Sequence, residues 1–431
     1  MKLPACQLSD LRTENLRINS ACGNCNSATS TSILLLAFYF PPENASGAAR
    51  PYRFYKYLRR LGYAVHVLTA SPQDEGHPQE NVVCVPGHTQ RQRRRVLRLL
   101  ARRLLGHWVA DRSLSWALAA EEAAGRLVPE KSGWVVMSTS EPVISHVLGG
   151  LLKRQWGLRW VADFRDPLTG NPFRQRSGIR ATFDALVEKW AFRNADALIA
   201  NTDATLEMWK RKHPKYVSKM HVIWNGFDPE DGFGPAPTPP REYRLLVHAG
   251  TIYGARHPDI LFSSLHRLIQ RGVLSPNKFR VRMIGPMQRG WLRDPETAAS
   301  LVGWGCLEYD GLLVARREAD QAIASADSLI LLDSHAEEGS VQVPAKLFDY
   351  VRVGRPILTT TTRNSPVDRL LSLSGVHYTS IYSDDSPEEV DQKILRFLTL
   401  PLEPVVAGKW FLEKFEAVSQ TRQLAALIDS R

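Results

Sequence analysis

The feature that most constrains the fold is an alternation of short apolar runs with helix-forming segments, repeated on both sides of one break. Before the break, runs of strand length include Ile33–Phe38 and Ala197–Asn201, and after it Leu245–His248 and Ser328–Leu332 resume the pattern. Strands that alternate with helices are typical of parallel sheets covered on both faces. The break itself, residues 229–241 (PEDGFGPAPTPPR), has the Pro and Gly content of a linker.

The chain of 431 residues is long enough for more than one domain with its own core. We therefore expect an α/β fold of two Rossmann-like, doubly wound parallel-sheet domains that face a cleft. The expected divisions are an N-terminal extension at 1–31, polar and expected to be disordered, a first domain at 32–234, a hinge at 235–241, a second domain at 242–405 and a C-terminal segment at 406–431.

A net charge of +11 and a pI near 9.5 call for an anionic partner: nucleic acid, anionic lipid or a phosphorylated substrate. Residues 91–105 (RQRRRVLRLLARRLL) hold seven arginines and no acid. With leucines on one helical face, this segment predicts a basic amphipathic helix that lies on an anionic membrane surface through Arg91–Arg103. A solvated helix packed by its leucines stays open. Nucleic acid is disfavoured, because no aromatic residues interleave with the arginines.

The expected localisation rests on the length of the apolar runs and on the pattern of the N-terminus. None approaches the roughly 20 residues of a membrane span, and the N-terminus lacks a signal-peptide pattern, so we expect a cytoplasmic protein, peripheral at the inner membrane face. Cys22 and Cys25 form a single Cys-x-x-Cys without a second pair, so no metal site is predicted.

Two segments carry candidate chemistry. The predicted strand Arg159–Ala162 delivers Asp163, Arg165 and Asp166 to the carboxyl edge of the first sheet, where α/β proteins bind ligands. Two carboxylates that flank an arginine can position a hydroxyl or accept a proton, but they can equally form an internal salt-bridge cluster.

The second segment, residues 343–358, predicts a helix with Pro344 in its first turn and Gly354 as its C-cap. Lys346 and Asp349 stand one turn apart beside free backbone N–H groups, which suits a nucleotide diphosphate. An ordinary capped surface helix is the alternative. In the first strand–helix loop only Gly47 is present where a dinucleotide fingerprint needs three glycines, so that loop is expected to border a substrate cleft.

From about Ile33 to its C-terminus the chain resembles a GT-B glycosyltransferase of the large retaining group numbered family four. The resemblance rests on segments that occur in the family's order. They are the PPxNxxGxxR loop at 41–50, WVADFRDP at 160–167, NGFD at 225–228, the loop at 250–256, and PxKxxDY at 344–350 followed by Gly354-x-Pro356.

The resemblance implies a sugar transferred with retention, without metal or cofactor, from a nucleotide-diphosphate sugar in the second domain to a glycan or lipid-linked acceptor in the first. It also implies roles for particular positions. The catalytic positions are Asp166 and Arg256, of which Arg256 would stabilise charge on the leaving diphosphate. The donor-binding positions are Gly47, Gly250, Thr251, Arg256, Gly285, Ser340, Lys346 and Asp349, and the acceptor-side positions are Asn44, Asp163 and Arg165.

The chain departs from the family pattern at three positions. Asp349 replaces the second glutamate of the Glu-x7-Glu motif, Val341 replaces the first, and Thr251 stands where an arginine often follows the glycine. Glu337 or Glu338, or backbone N–H groups near Gly339 and Ser340, would have to substitute. These departures keep open a catalytically inactive binding subunit, with a nucleotide-sugar epimerase as a further alternative.

The resemblance also implies that Trp410–Ile428 crosses back onto the first domain, with Trp410, Phe411 and Phe415 as packing anchors.

Overall fold

The computed structural model describes most of the chain. The described residues are 31–43, 47–73, 79–85, 109–171, 177–254, 256–288, 290–333 and 341–430. The expected basic helix at 91–105 lies outside them, as do Asn44, Ser340 and the two acids proposed to replace the missing glutamate, Glu337 and Glu338.

The described residues form two sheets. The strands of the first sheet are β1 (Ser32–Leu36), β2 (Ala64–Thr69), β3 (Val82–Cys84), β4 (Trp134–Thr139), β5 (Arg159–Asp163), β6 (Ala197–Ala200) and β7 (Met220–Val222). Those of the second are β8 (Arg244–Ala249), β9 (Phe279–Ile284), β10 (Leu307–Tyr309), β11 (Ser328–Leu332), β12 (Ile357–Thr361) and β13 (Tyr378–Tyr382). All of these strands pair in parallel, in the orders β3-β2-β1-β4-β5-β6-β7 and β10-β9-β8-β11-β12-β13.

Helices connect these strands and cover both faces of each sheet. Those of the first half are α1 (Ala49–Arg60), α2 (Val109–Leu127), α3 (Ile144–Trp156), α4 (Ile179–Asn194) and α5 (Asp203–Lys212), with a 3-10 helix at Pro214–Lys219. Those of the second half are α6 (Asp259–Gln270), α7 (Pro295–Gly303), α8 (Arg316–Ala324), α9 (Lys346–Val353), α10 (Pro366–Ser374), α11 (Pro387–Leu398), α12 (Lys409–Phe415) and α13 (Ala417–Asp429), with a 3-10 helix at Pro276–Lys278. The doubly wound α/β prediction is confirmed.

The central strand β1 shows why its sequence is almost wholly apolar. Leu34 and Leu36 pack into the core on one face of the sheet, whereas Ile33 and Leu35 pack into the core on the other. Successive side chains of a strand point to opposite faces, so a strand covered by helices on both sides must be apolar at every position.

The C-terminal helices bind the two halves together. Phe411 and Phe415 of α12 are fully buried in a core of the second half, and Leu424 and Ile428 of α13 pack beneath β1 in the first. The ring of Trp410 packs edge-on against that of Phe415, with 5.6 Å between the centroids, but 40% of its surface is exposed, so it is less buried than the two phenylalanines.

The linker 229–241 runs along the second half. Arg352 of α9 donates to Asp231 (2.8 Å), and Arg355 donates to the carbonyl of Ala236 (3.1 Å). These bonds fix the linker to the last turn of α9, the helix that borders the candidate site, and to the residues that follow it.

Helix α9 ends as the sequence predicts but begins later. Gly354 has φ +70°, and a Cβ at this position would lie 2.1 Å from the carbonyl oxygen of Val405, so only glycine fits. Pro344, expected in the first helical turn, instead precedes the helix. Its carbonyl accepts from the backbone N–H of Leu347 (3.0 Å) in a tight turn that leads into α9.

Candidate active site

The candidate site lies between the carboxyl edges of the two sheets, where the halves touch. The hydroxyls of Thr202 and Thr205, at the start of α5, donate to the carbonyl of Val341 in the second half at 2.5 and 3.2 Å. Thr202 also caps α5 by accepting from the backbone N–H of Thr205 (3.0 Å). The backbone of Val341, where the family's first glutamate is missing, is therefore a contact across the cleft.

On the second-half side, Lys346 lies over the end of β8. Its Nζ is 3.2 Å from Nε2 of His248, whose Nδ1 is 3.0 Å from the carbonyl oxygen of Ile330. A carbonyl can only accept, so Nδ1 carries the proton and Nε2 accepts from Lys346. Burial, aided by the charge of Lys346, holds the pKa of His248 well below its usual range and keeps the ring neutral.

Lys346 is a desolvated cation. Burial and the nearby charge of Arg256 lower the pKa of Lys346 to about 7. Its Nζ would be 2.6 Å from a Cβ added at Gly250, which has φ +132°. Gly250 is therefore required both by the backbone conformation and by the close approach of this amine.

The loops that follow β8 and β9 are hydrogen-bonded to each other beside the amine of Lys346. The backbone N–H of Gly250 donates to Ile284 (2.8 Å), and that of Ile252 donates to Pro286 (3.0 Å). Gly285 has φ +113°, and a Cβ there would meet the backbone of Gly250 at 3.0 Å. Gly250 and Gly285, two of the three glycines predicted for donor binding, are thus packed together beside Lys346. Thr251, the residue after Gly250, is exposed.

Arg256 and Asp166 belong to opposite halves and interact through their charges. Arg256 is 9% exposed and donates to the hydroxyl of Tyr253 (2.8 Å). Burial raises the pKa of Asp166 to about 6, opposed by the charges of Arg165 and Arg256 and by a hydrogen bond from Asn201. The structure therefore brings the two predicted catalytic residues into electrostatic contact.

Asp163, predicted on the acceptor side, is instead part of an internal ion pair. Arg50 donates to both of its carboxylate oxygens (2.8 and 3.0 Å), Thr139 donates to the same group (2.9 Å), and the Asp163 side chain is fully buried. Arg50 also donates to the carbonyls of Ile223 and Trp224. A direct contact with an acceptor does not fit this geometry, so the salt-bridge alternative describes Asp163, which positions the loops.

Gly47 and Arg165 are packed together. A Cβ at Gly47 would lie 2.8 Å from Nη1 of Arg165 and 2.8 Å from the ring of Tyr39. Burial lowers the pKa of Arg165. Because Gly47 has no side chain, the loop between β1 and α1 can pack directly against Arg165.

Asp349 lies among arginines. Arg316 donates to its carboxylate (3.3 Å), and Arg352 is 4.0 Å away. Burial raises the pKa of Asp349, while the charges of Arg316 and of Arg53, which comes from the first half, lower it. A ribose hydroxyl bound by Asp349 would share the carboxylate with Arg316.

The residues that sequence reasoning missed are His248, Arg53 and the two threonines of α5. Arg50 is the last residue of the PPxNxxGxxR segment, but apart from that motif nothing in the sequence indicates that it is buried beside Asp163. Across the described parts of the chain, no group of three or more His, Cys, Asp or Glu side chains is arranged to hold a metal ion. None of the described helices combines the length and apolarity needed to span a membrane.

Comparison with known proteins bears on the family and the fold of the chain. The family model described as Glycosyltransferase Family 4 matches residues 49–231. A search of curated proteins by sequence finds no match.

Solved structures share the whole architecture. A sucrose-phosphate synthase from Thermosynechococcus elongatus is 13% identical, with 92% of this chain and 98% of that chain covered and a TM-score of 0.63. HepE of Anabaena, in complex with UDP and glucose, is 14% identical, with coverage of 93% and 100% and a TM-score of 0.60. The lipopolysaccharide outer core galactosyltransferase WaaB, in its apo form, is 11% identical, with coverage of 92% and 98% and a TM-score of 0.57.

At these identities the likenesses show the fold, which is the GT-B architecture expected from the sequence. Together with the family model they confirm the resemblance and the enzyme class stated above.

Proposed function

We propose that this chain, a GT-B glycosyltransferase of the family-four type, moves a sugar from a nucleotide-diphosphate sugar to a glycan or lipid-linked acceptor in cell-surface polysaccharide or glycoconjugate synthesis. The observation that carries the proposal is the close approach of the Lys346 amine to Gly250, with the charge of Arg256 acting both on this amine and on Asp166 of the first half. Arg256 lies in the segment between β8 and α6, Lys346 is the first residue of α9, and a multiply charged anion can interact with both cations.

The two cations fit the charge that develops on a leaving diphosphate. Cations fixed in a desolvated site stabilise such charge strongly, because they need no reorganisation as it forms. Binding of the anion raises the pKa of Lys346, so the amine is charged when the bond to the sugar breaks. His248 cannot compete as a cation, since its Nε2 accepts from this amine.

Asp166 provides the first-half counterpart. We propose that an acceptor hydroxyl binds beside its carboxylate, because a pKa of about 6 suits a group that interacts with a proton near neutral pH. We propose that transfer retains the configuration of the sugar and needs no metal, since Arg256 and Lys346 supply positive charge at the diphosphate.

The donor assignment is tested with a panel of UDP-, GDP- and ADP-sugars, whose binding is followed by thermal stability and calorimetry. UDP-glucose is the first donor to test, because the related HepE structures contain UDP and glucose or UDP-glucose. Loss of one charge-assisted contact costs about 1.5–3 kcal/mol, so Arg256→Ala should weaken donor binding about 10- to 100-fold.

Arg396→Ala, which removes an exposed arginine from α11 of the same half, is the matched control and should leave donor affinity unchanged. If no nucleotide sugar stabilises the protein, or if Arg256→Ala and Arg396→Ala behave alike, the donor site is assigned wrongly. A donor that binds but is never turned over, with or without membrane extract, would favour a binding subunit.

We also propose that the enzyme is cytoplasmic and peripheral at the inner membrane face, held by the basic segment at 91–103. The support is its sequence, with seven arginines and no acid. Replacing Arg91, Arg95, Arg98 and Arg102 by Gln should release the protein from anionic vesicles in a sedimentation assay. Unchanged sedimentation would show that these arginines only solubilise the chain.

A further inference from the structure

One face of α1 borders the cleft and carries an arginine that the proposed donor chemistry does not use. Arg50, Arg53 and Tyr57 follow each other at spacings of three and four residues, so they share that face. Arg50 is bonded to Asp163, and Tyr57 donates to Asp228 (2.5 Å). Both partners lie at the carboxyl edge of the first sheet, so Arg53 is aimed at the same edge between them.

Arg53 is held there without a partner. Throughout the described ranges it makes no hydrogen bond and no ion pair, although it is partly buried. The nearest carboxylate on its own half, Asp228, is already taken by Lys56 (2.7 Å) and Tyr57. Burial and the like charges of Arg50 and Arg165 lower the pKa of Arg53 to about 10, against the opposing charges of Asp349 and Asp228.

Arg165 adds a second guanidinium to this wall. It follows Asp163 by two residues, and its Nη1 lies against Gly47. The first-half wall of the cleft thus presents Arg53 and Arg165, while Arg256 and Lys346 occupy the facing wall. The charges of Asp166 and Asp163 act on Arg165, whereas Arg53 has neither a hydrogen bond nor an ion pair among the described residues. A desolvated guanidinium in that state is costly unless an anion reaches it, and the planar fork of arginine matches the oxygens of a phosphate.

We propose that Arg53 and Arg165 bind a phosphate group carried by the acceptor, so that the acceptor is a sugar phosphate or a lipid phosphate rather than a neutral glycan. The inference rests on the proposed sugar transfer and names the chemical class of its second substrate. The donor diphosphate is matched by the cations of the second half, and the acceptor phosphate is matched by those of the first.

The direct test titrates inorganic phosphate into protein already saturated with UDP, by calorimetry. Wild type should bind phosphate saturably, and Arg53→Gln should weaken that binding about tenfold or more, as expected for loss of a charge-assisted contact. Arg126→Gln is the control: it removes the same charge from an exposed position on α2 and should change nothing. Arg53→Lys, which keeps the charge but not the fork, should recover part of the affinity.

Two results of this titration would overturn the inference. One is the absence of phosphate binding when UDP is present. The other is an Arg53→Gln variant that loses affinity for UDP and not for phosphate, because Arg53 would then contact the donor. Circular dichroism and melting temperature of the variant separate either result from misfolding.

The source of the phosphate is distinguished with transfer assays in which the donor is held constant. Soluble hexose phosphates form one arm, and vesicles of phosphatidylglycerol or of phosphatidylcholine doped with a polyprenyl phosphate form the other. In whichever arm transfer occurs, Arg53→Gln should raise the KM for the acceptor about tenfold and leave the KM for the donor unchanged. Donor turnover on neutral glycans alone, equal in wild type and Arg53→Gln, would refute the inference while leaving the proposed transferase intact.

Discussion

The state of Lys346 makes donor binding depend on pH in a way that can be calculated. In the free protein its pKa is about 7, and a bound diphosphate must raise that value, since an opposite charge favours the ammonium form. Below pH 7 the amine is already charged and affinity for a nucleotide-diphosphate sugar should not change. Above pH 7 binding requires uptake of one proton, so affinity should fall by up to about tenfold per pH unit until the pKa of the bound state is reached.

The assay is calorimetry with a nucleotide-diphosphate sugar, whose phosphates do not titrate between pH 6 and 9, in two buffers of different ionisation enthalpy. Wild type should lose up to about 100-fold in affinity from pH 7 to pH 9 and take up close to one proton at pH 8. Lys346→Arg should bind no proton, because its guanidinium stays charged throughout this range. Lys346→Met should bind weakly at every pH.

The reasoning fails if wild type and Lys346→Arg show the same pH profile, because the titrating group would then lie elsewhere. His248 is excluded as that group by its hydrogen bonds, since the Nε2 that would have to gain a proton accepts from Lys346. His248→Gln should therefore change the pH at which affinity begins to fall, without abolishing the dependence.

Three further substitutions test other parts of the structure. Asp166→Asn should lower turnover about 100-fold or more and remove an acidic limb near pH 6 from the rate profile; a limb that persists would assign it to another group. Asp163→Asn, which leaves a buried guanidinium uncompensated, should cost about 3–5 kcal/mol in urea unfolding, and a loss within measurement error would contradict the ion pair. Gly354 has φ +70° and lies against the carbonyl of Val405, so Gly354→Ala should destabilise the protein by about 1–3 kcal/mol in the same assay. The control Gly303→Ala has open space at its Cβ position and should be neutral or stabilising. Equal effects of the two substitutions would refute the packing argument.

The sequence predicted the layered fold because the information for it is local. Apolar runs of strand length give buried parallel strands, and the Pro-rich break separates the two runs of alternation. Three helices went unassigned although their start signals were present: Asp294, Ser365 and Ser386 each cap a helix whose next residue is proline. Ser386 also forms a capping box with Glu389. These signals are only one to four residues long.

The site was predictable only in part, because its chemistry depends on pairings between distant positions. Asp163 and Asp166 look alike in sequence, three residues apart. In the structure Asp163 forms an ion pair with Arg50, whereas Asp166 interacts with the charge of Arg256 from the other half. No periodicity encodes the separation of 113 residues between Arg50 and Asp163, and the tautomer of His248 follows from a carbonyl on a neighbouring strand.

The missing glutamate at Val341 has a physical consequence for how the halves come together. A glutamate there would offer its carboxylate to the sugar, whereas this chain uses the same residue's carbonyl as an acceptor for Thr202 and Thr205. These bonds tie the segment that leads into α9, and so Lys346, to the start of α5 in the first half. Neutral hydrogen bonds contribute only about 0.5–1.5 kcal/mol each, which is small enough for thermal opening of the cleft and large enough to bias it toward closure. Binding of both proposed substrates then favours closure of the cleft. The donor diphosphate relieves repulsion between Arg256 and Lys346 on one wall, and the acceptor phosphate relieves repulsion between Arg53 and Arg165 on the other.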